Sequence, residues 1–411
     1  MTKNILYISY DGMTDQLGQS QVLPYLVGLQ KFGYNFHLIS CEKPEKFEKQ
    51  RKTIEDICKG NGITWHPLPY TKSPPVLSTV KDVRQITKKA FDLHRIHKFD
   101  MVHCRGYISA LVGYKMKKQL RSALLFDMRG LWADEKVDAG SWNLRNPIYK
   151  TVYNFFKKKE KQFLENADYT ISLTRAAQKE IHSWRHISNN PVKMEVIPCC
   201  TDTELFNPAQ VDAQIRASIQ KELGISDRDT ILTYLGSIGS WYMLDEMLDF
   251  FVTYQHKYPT AKFLFITGDQ HEQIRTRAAE RNIGADKILI RPALRKEVPA
   301  SISLGAHSVF FIRATYSKIS SSPTKQAELM SMGIPVISNA GVGDTDLIIK
   351  NFKSGVVIGD FTAESYNRSI DELAVTTFDR QAIRHGAEQY FSLTDGVSKY
   401  LRVYQSILGH D

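Results

Sequence analysis

Hydroxyl groups, a lysine and a glutamate are concentrated in one short stretch, "SSSPTKQAELMSMG" (320–333). Thr324 and Glu328 are four residues apart, so in a helix they share a face, with Lys325 beside them. The first turn of a helix presents N–H groups that bind phosphate, and a lysine adds positive charge. A carboxylate one turn deeper can accept hydrogen bonds from two adjacent hydroxyl groups, such as those of a ribose. The stretch predicts a nucleoside-diphosphate site, with a capped surface helix as the alternative.

The boundaries of this helix also have sequence signals. The apolar run "SVFFIR" (308–313) favours a strand, so the serines that follow lie in a loop at the carboxyl end of that strand. Ser322 is predicted to be the N-cap and Pro323 the first helical residue. Gly333, followed by Pro335, is predicted to end the helix.

A second group of charged residues follows another predicted strand, in "FDMRGLWADE" (126–135). Asp127, Arg129 and Glu135 are candidates for binding and orienting a substrate, and a salt-bridged loop is the alternative. His103 ends the preceding strand pattern, "DMVHC", and faces either a cleft or the core.

The loop "DGMTDQLG" (11–18) follows the first predicted strand and opens a helix. Gly12 and Gly18 allow a close approach of the backbone, because glycine has no side chain. The spacing is not G-x-G-x-x-G, so the loop does not favour a dinucleotide site.

Alternating strands and helices must position all these residues. Because strand–helix repeats favour parallel sheets covered by helices, the pattern predicts an α/β fold with two doubly wound domains. We place the first domain at residues 1–200, the second at 201–395, and a last helix, 396–411, that crosses back to the first. The strand patterns are 4–10, 35–40, 101–104, 123–128 and 169–174, then 230–236, 262–268, 287–292, 308–313, 335–339 and 355–358.

Composition narrows the class of protein. The chain has 411 residues, 42% of them apolar and 24% charged, as expected for a globular protein of about two domains. Its five cysteines form no C-x-x-C pair, which favours a reducing compartment, and we expect a cytoplasmic protein without a signal peptide.

Charge is distributed unevenly between the two halves. Residues 1–200 carry a net charge of +13, and residues 201–411 carry −3. The excess lies in three runs, 83–91, 113–121 and 153–163, which are interleaved with aromatic residues. Basic faces attract anionic lipid, nucleic acid or phosphorylated substrates. We expect a peripheral role at an anionic membrane surface, with solvated helix faces as the alternative.

Four motifs in order along the chain carry a family resemblance. They are "YISYDGMTDQLGQSQVLPYL" (7–26), "VIPCCTDTELF" (196–206), "YLGSIGSWYMLDEML" (234–248) and "SSPTKQAELMSMGIPVI" (321–337). The chain resembles the retaining, GT-B-fold glycosyltransferases of family four, also known as glycosyl transferases group 1. The resemblance implies two Rossmann-like domains facing a cleft. It further implies that the first domain binds the acceptor and the second binds a nucleotide-sugar donor.

The resemblance also implies roles for single residues, with two departures. Glu328 matches the second glutamate of the E-x7-E pattern, which binds the ribose, and Lys325 lies where a diphosphate contact is expected. Ser320 replaces the first glutamate, so Ser320, Ser321 or the backbone is expected to hold the sugar by neutral hydrogen bonds. Ser237 and Tyr242 stand near the positions of the usual Arg and Lys. The positive charge must then come from Lys325, with Arg313, Lys318 and Arg291 as helpers. The remaining donor candidates are Thr324, Ser321, Ser322, Gly236, Ser237, Gly12 and Gly18, and the acceptor candidates are Asp127, Arg129, Glu135 and His103.

The implied activity is transfer of a sugar to an acceptor hydroxyl group with retention, in bacterial surface polysaccharide or glycolipid assembly. We expect a glycan or lipid-linked acceptor, no cofactor, no metal and no nucleic-acid partner. Asp344 and Asp346 spell D-x-D, but Asp344 is better explained as a helix cap. Two alternatives remain: a nucleotide-sugar epimerase of GT-B-like fold, and a basic nucleic-acid-binding protein.

Overall fold

The chain forms two compact units, one of which is discontinuous in sequence. The computed structural model describes residues 2–239 and 241–409. The first unit comprises Met1–Pro198 and Leu393–Asp411, and the second comprises Cys199–Ser392. The sequence placed these boundaries at residues 200 and 396. Met1, His410 and Asp411, at the ends of the predicted domains, and Ser240, in one of the four motifs, lie outside the described residues.

A seven-stranded parallel sheet forms the centre of the first unit, in the order β3-β2-β1-β4-β5-β6-β7. Ile5, Leu6 and Ile8 of β1 are fully buried, as expected for a strand that is covered on both faces. The strands are β1 (Lys3–Ser9), β2 (Tyr34–Glu42), β3 (Thr64–Pro69), β4 (Met101–Arg105), β5 (Ala123–Asp127), β6 (Tyr169–Ser172) and β7 (Met194–Val196).

Nine described helices belong to this unit. The last one, α17, packs against α2, where Gly28 leaves room for Val397: a Cβ on Gly28 would lie 2.6 Å from a Val397 methyl group. The helices are α1 (Gln16–Gln21), α2 (Leu23–Gln30), α3 (Pro44–Gly60), α4 (Leu77–His97), α5 (Gly106–Leu120), α6 (Trp132–Asp138), α7 (Pro147–Asn166), α8 (Arg175–Ser183) and, from the end of the chain, α17 (Leu393–Leu408).

The second unit repeats the same architecture with a six-stranded parallel sheet, in the order β10-β9-β8-β11-β12-β13. Its strands are β8 (Thr230–Leu235), β9 (Ala261–Ile266), β10 (Ile288–Arg291), β11 (His307–Phe310), β12 (Val336–Asn339) and β13 (Gly355–Ile358). Its helices are α9 (Ala213–Glu222), α10 (Leu244–Lys257), α11 (His271–Ala279), α12 (Val298–Ile302), α13 (Thr324–Ser331), α14 (Thr345–Asn351), α15 (Ala363–Val375) and α16 (Arg380–Phe391). The two parallel sheets confirm the predicted Rossmann-like fold of both parts.

The strand order reverses once in each sheet, between β1 and β4 and between β8 and β11. In doubly wound folds, ligands bind outside the carboxyl ends of the strands at such a reversal. In the second unit these ends lead into the loop 236–243 and into the segment 311–323 before α13. The stretch singled out by its lysine and glutamate therefore lies at the expected position. None of the described helices is long and apolar enough to cross a bilayer.

Candidate functional site

Lys325 lies in the first turn of α13 and is almost completely buried. Its amino group donates a 2.9 Å hydrogen bond to the hydroxyl group of Tyr234, which in turn donates to the carbonyl of Ser237 at 2.6 Å. The same nitrogen lies 4.1 Å from the ring centroid of Tyr234 and 3.6 Å from that of Tyr242. Burial lowers the pKa of Lys325 well below its usual value, and Glu328 offsets this only in part. The structure holds a lysine between two aromatic rings.

The loop that contains Tyr242 follows β8, and it places Gly236 next to Lys325. Gly236 has a φ of +113°, a conformation that favours glycine. A Cβ on Gly236 would lie 3.1 Å from the amino nitrogen of Lys325, so the glycine makes room for the lysine. By resemblance, Tyr242 stands near the position of a lysine that many relatives carry in this loop. In this chain, the amino group of Lys325 lies against the ring of Tyr242.

The N-terminus of α13 differs from the prediction in one detail. The helix begins at Thr324, and its N-cap is Pro323, which has no capping side chain. Ser322 was predicted to be the cap, but its hydroxyl group accepts a hydrogen bond from the backbone N–H of Cys199 at 3.1 Å. Ser321, Ser322 and Thr324 are each half-buried around this start. The residue at the N-cap therefore supplies no side-chain hydrogen bond to the first turn that contains Lys325.

Ser320, which stands in place of the first glutamate, is buried and donates a 2.6 Å hydrogen bond to the carbonyl of Ser317. Its proton is therefore engaged within the chain. A hydroxyl group that donates its proton in this way can act toward a sugar hydroxyl group only as an acceptor.

Glu328 is buried one turn beyond Lys325 and forms an ion pair with Arg295, which lies in a short 3-10 turn after β10. Burial raises the pKa of Glu328, and the guanidinium of Arg295 opposes this rise. The ion pair of Arg295 with Glu328 was not predicted from the sequence. Arg295 lies 33 residues before Glu328, and no local spacing relates the two.

Arg291 pairs with two carboxylates, whereas the sequence predicted that it would contact a diphosphate. Its Nε donates to Glu222 at 3.1 Å and its Nη2 donates to Glu297 at 3.3 Å, so two carboxylates compensate its charge. Its predicted role as a helper cation is therefore replaced by a structural one. It links β10 to α9 and to the turn that carries Arg295.

Arg313 and Lys318 share one aromatic partner. The guanidinium carbon of Arg313 lies 5.0 Å from the ring centroid of Trp241, and the amino group of Lys318 lies 3.7 Å from it. The backbone N–H of Arg313 donates to the carbonyl of Trp241 at 3.0 Å. Both cations therefore border the same loop that holds Tyr242.

The glycines of the first loop serve the packing of the chain itself. A Cβ on Gly12 would lie 2.7 Å from a carboxylate oxygen of Glu42, and one on Gly18 would lie 2.3 Å from the carbonyl oxygen of Gly12. Glu42 accepts hydrogen bonds from the backbone N–H groups of Met13 and Thr14, at 2.7 and 3.1 Å. The space that the missing side chains leave is filled by protein, which corrects the prediction that both glycines face the donor.

Three of the four acceptor candidates lie in one cluster at the carboxyl edge of the first sheet. Oδ2 of Asp127 accepts from the hydroxyl group of Tyr400 at 2.9 Å and lies 3.6 Å from Nε2 of His103. Nη1 of Arg129 lies 3.7 Å from Oδ1 of Asp127. Nδ1 of His103 pairs with the hydroxyl group of Tyr404 at 2.7 Å. The aromatic partners come from α17, the final helix.

Burial changes the reading of this cluster. His103 and Asp127 are each only 1% exposed, so neither side chain has a surface for an acceptor. Burial raises the pKa of Asp127, but Arg129, His103 and Arg105 outweigh that effect and lower it to about 2. Burial lowers the pKa of His103, so an ionised Asp127 and a neutral His103 form an internal support instead of the predicted acceptor contacts. Arg129 and Glu135 are half-buried and remain candidates.

Asp344 is the N-cap residue of α14, as predicted, although its side chain does not cap the helix. Its carboxylate accepts a 3.0 Å hydrogen bond from the hydroxyl group of Tyr390. Among the residues that the structure describes, no group of three or more His, Cys, Asp or Glu side chains could hold a metal ion.

Comparison with known structures shows the same fold over nearly the whole chain. A sucrose-phosphate synthase from Thermosynechococcus elongatus matches with a TM-score of 0.73 and 17% identity, covering 98% of this chain and 99% of that one. A glycosyltransferase from Rickettsia africae matches with a TM-score of 0.69 and 15% identity over the full length of both chains. HepE from Anabaena, in complex with UDP and glucose, matches with a TM-score of 0.68 and 12% identity, covering 98% and 99%.

Sequence comparison agrees with these structural matches. A D-inositol 3-phosphate glycosyltransferase from Rhodococcus jostii is 20% identical over 296 residues, which is 68% of this chain and 60% of that relative. The chain thus spans less than two thirds of the length of this relative. Residues 21–205 match the family described as Glycosyltransferase Family 4, and residues 215–389 match Glycosyl transferases group 1. The chain therefore belongs to the GT-B glycosyltransferases of family four.

Proposed function

We propose that the protein transfers a sugar from a nucleoside-diphosphate sugar to an acceptor hydroxyl group with retention of configuration. The carrying observation is the buried amino group of Lys325 in the first turn of α13, at the point where the second sheet reverses its strand order. In the described part of the chain, no carboxylate forms an ion pair with this lysine. A diphosphate would supply the missing negative charge.

Energetics support an anionic ligand at this position. Burial without a counter-ion disfavours a charged amine, and a nearby anion restores the charged form. Helix α13 adds backbone N–H groups in its first turn, where negative charge is favoured. Glu328 lies one turn further along the same helix, where we expect the ribose of the same ligand. Anabaena HepE has been crystallised with UDP-glucose, which supports this class of donor for a related fold.

The mechanism we propose needs no protein nucleophile. The bond between the anomeric carbon and the diphosphate lengthens, and the acceptor hydroxyl group attacks from the same face. The departing phosphate oxygen takes the proton of that hydroxyl group. Lys325 and the N–H groups of α13 stabilise the negative charge on the leaving diphosphate. Positioning of the two substrates supplies the rest of the rate enhancement. Metal independence is part of the proposal, and unchanged turnover after treatment with EDTA is the expected result.

A thermal-shift screen with nucleoside diphosphates and their sugars would test the donor. We expect one nucleotide series to raise the melting temperature selectively, since a ligand that binds only the folded state stabilises it. NMR of the product from that donor would then show the anomeric configuration. An inverted product would contradict retention. An altered nucleotide sugar formed without any acceptor would indicate an epimerase instead.

The acceptor we propose is a glycan or a lipid-linked glycan, used in bacterial surface polysaccharide or glycolipid assembly. The protein would work in the cytoplasm, at the inner face of the membrane. The three basic runs of the sequence lie on α4, α5 and α7, and α5 packs against both other helices. Lys115 of α5 stacks on Phe91 of α4 at 5.4 Å, and Lys159 of α7 stacks on Tyr114 of α5 at 5.5 Å. The runs therefore lie on three adjacent helices of the first unit, whose exposed surface we propose as the basic face.

Apolar side chains are also exposed on α7, one of these three helices. Ile148 and Phe155 of α7 are 64% and 44% exposed. Together with lysines, exposed apolar groups favour the interface of an anionic bilayer over a purely charged polymer. Exposed basic residues on the three helices include Arg84, Lys88, Lys115, Lys118, Lys158 and Lys161.

Sedimentation with liposomes would test the membrane proposal. We expect binding to vesicles containing phosphatidylglycerol and none to phosphatidylcholine alone. Each lysine near the surface contributes about fivefold to such binding. The variant K115E/K118E/K158E/K161E should therefore lose binding, whereas the control K221E/K257E/K296E/K350E, in the second unit, should keep it. Equal sedimentation of both variants would refute the assignment of this face.

A further inference from the structure

The ion pair between Arg295 and Glu328 joins two parts of the second unit that are far apart in sequence. Glu328 is 5% exposed, and a carboxylate buried to this degree tends to take up a proton. A protonated carboxyl group could accept fewer hydrogen bonds from a diol than a carboxylate. Its function as a ribose ligand therefore depends on a compensating cation.

Two cations are close enough to compensate Glu328. Lys325 lies one turn earlier on the same helix, but its own charge is disfavoured by burial between Tyr234 and Tyr242. Arg295 has the larger effect on Glu328, and guanidinium groups remain charged at all ordinary pH values. Arg295 is thus the dependable partner.

The guanidinium of Arg295 is held by an aromatic ring as well as by Glu328. Its central carbon lies 4.6 Å from the ring centroid of Phe206, which is fully buried. The backbone carbonyl of Phe206 accepts a 2.7 Å hydrogen bond from Arg384, which also donates to the carbonyl of Ser331 at the end of α13. The ring under Arg295 is therefore fixed relative to the helix that carries Glu328.

The turn that carries Arg295 is itself fixed. Glu297 accepts hydrogen bonds from the backbone N–H of Leu294 at 3.0 Å and from Arg291 at 3.3 Å. Arg291 also pairs with Glu222 of α9. These contacts hold the turn in place without any ligand. The ion pairs of Arg291 therefore fix the turn that carries Arg295.

We propose that Arg295 is a positioning residue that keeps Glu328 ionised and oriented, so that its second carboxylate oxygen accepts hydrogen bonds from the vicinal hydroxyl groups of the donor ribose. Arg295 contacts Oε1 of Glu328, which leaves Oε2 for the diol. This inference rests on the proposed nucleotide-sugar donor. It predicts that loss of Arg295 weakens recognition of the ribose and leaves recognition of the phosphates unchanged.

Isothermal titration calorimetry with four variants would test this role. The variants are R295Q, R295K, E328Q and the control R368Q, whose arginine is exposed and pairs with Glu364 within α15. The probes are UDP and GDP, the 2′-deoxy form of whichever binds, and inorganic pyrophosphate, each measured between pH 6 and pH 8.5.

We expect R295Q to bind the ribonucleotide about tenfold more weakly than wild type at pH 7, by comparison with other hydrogen bonds to charged groups. Removing the guanidinium raises the pKa of Glu328, so the loss should grow at lower pH and shrink at higher pH. R295K should recover part of the affinity. E328Q should lose discrimination between the ribo and deoxy forms at every pH, and pyrophosphate should bind all variants alike.

Two results would overturn the inference while leaving the donor proposal intact. One is wild-type affinity of R295Q for the ribonucleotide at every pH. The other is an equal loss of pyrophosphate binding, which would indicate a general structural defect. Failure of wild type to bind any nucleoside diphosphate would instead remove the proposed donor site and the inference together.

Discussion

Both sheets carry buried charge at their carboxyl edges, but the charge is compensated in different ways. In the first unit, Asp127 is surrounded by Arg129, His103 and the hydroxyl group of Tyr400, and its pKa is lowered to about 2. In the second unit, Lys325 contacts two tyrosine rings and one phenol oxygen, and burial lowers its pKa.

This contrast separates a structural cluster from a binding site. Asp127 needs no ligand because the chain itself stabilises its charge. Lys325 is stabilised by polarisable and hydrogen-bonding groups only, so its charged form gains most from an external anion. Buried charges that the chain leaves uncompensated are candidates for ligand contacts. The comparison therefore favours the second unit as the place where the proposed donor phosphates would bind.

Replacing Asp127 with Ala should have the largest effect on stability. Loss of one partner from a buried charged cluster costs about 3–5 kcal/mol, because Arg129 loses its counter-charge and the hydroxyl group of Tyr400 loses its acceptor. Calorimetry should show the unfolding transition of the first unit at a lower temperature, with nucleotide affinity unchanged. The control D92A removes a carboxylate that is 41% exposed and should change little. A D127A protein of normal stability would show that the cluster is not structural.

Replacing Lys325 with Met should give the opposite result. We expect catalytic efficiency, kcat/KM, to fall by about 2–4 kcal/mol of transition-state stabilisation, as for other contacts to a developing negative charge. The melting temperature should stay the same or rise, since a buried amine without a counter-ion is replaced by an apolar side chain. The exposed Lys350 offers the control K350M. Destabilisation without loss of activity would reverse the assignments of the two clusters.

Replacing Gly236 with Ala should have the smallest effect. An alanine there is strained by about 1–3 kcal/mol, and its Cβ presses on the amino group of Lys325. We expect about tenfold weaker binding of nucleoside diphosphate from this displacement, measured by calorimetry. Gly239 of the same loop is the matched control, because a Cβ there meets nothing within 4 Å. Equal affinity of both alanine variants would show that the fit between Gly236 and Lys325 is unimportant.

Much of the fold followed from local patterns. All six strands of the second sheet were predicted, because buried parallel strands are short apolar runs that end at glycine or proline. Strands β3 and β7 of the first sheet were missed, and the reason is visible in β3. It is an edge strand with Pro67 and Pro69 in its sequence and with half-buried residues, and prolines in a pattern argue against a strand. Prolines are tolerated in a strand at the edge of a sheet. Which strand lies at the edge is known only once the order of the strands in the sheet is known.

The site was predictable where spacing along one helix decides proximity, and not elsewhere. Lys325 and Glu328 were predicted to lie close together because of their separation within one helix, α13. Arg295 reaches Glu328 only through tertiary folding, and Ser322 binds the N–H of Cys199 instead of capping its own helix. His103 and Asp127 looked like cleft residues because the tyrosines that cover them lie at the other end of the sequence, on α17.

The most direct test of this account is a crystal structure with the bound nucleoside diphosphate that gives the largest thermal shift. We expect a β-phosphate oxygen about 3 Å from the amino group of Lys325 and a ribose hydroxyl group at a similar distance from Glu328. Phosphates bound away from Lys325, with its amino group still enclosed by Tyr234 and Tyr242, would contradict the account.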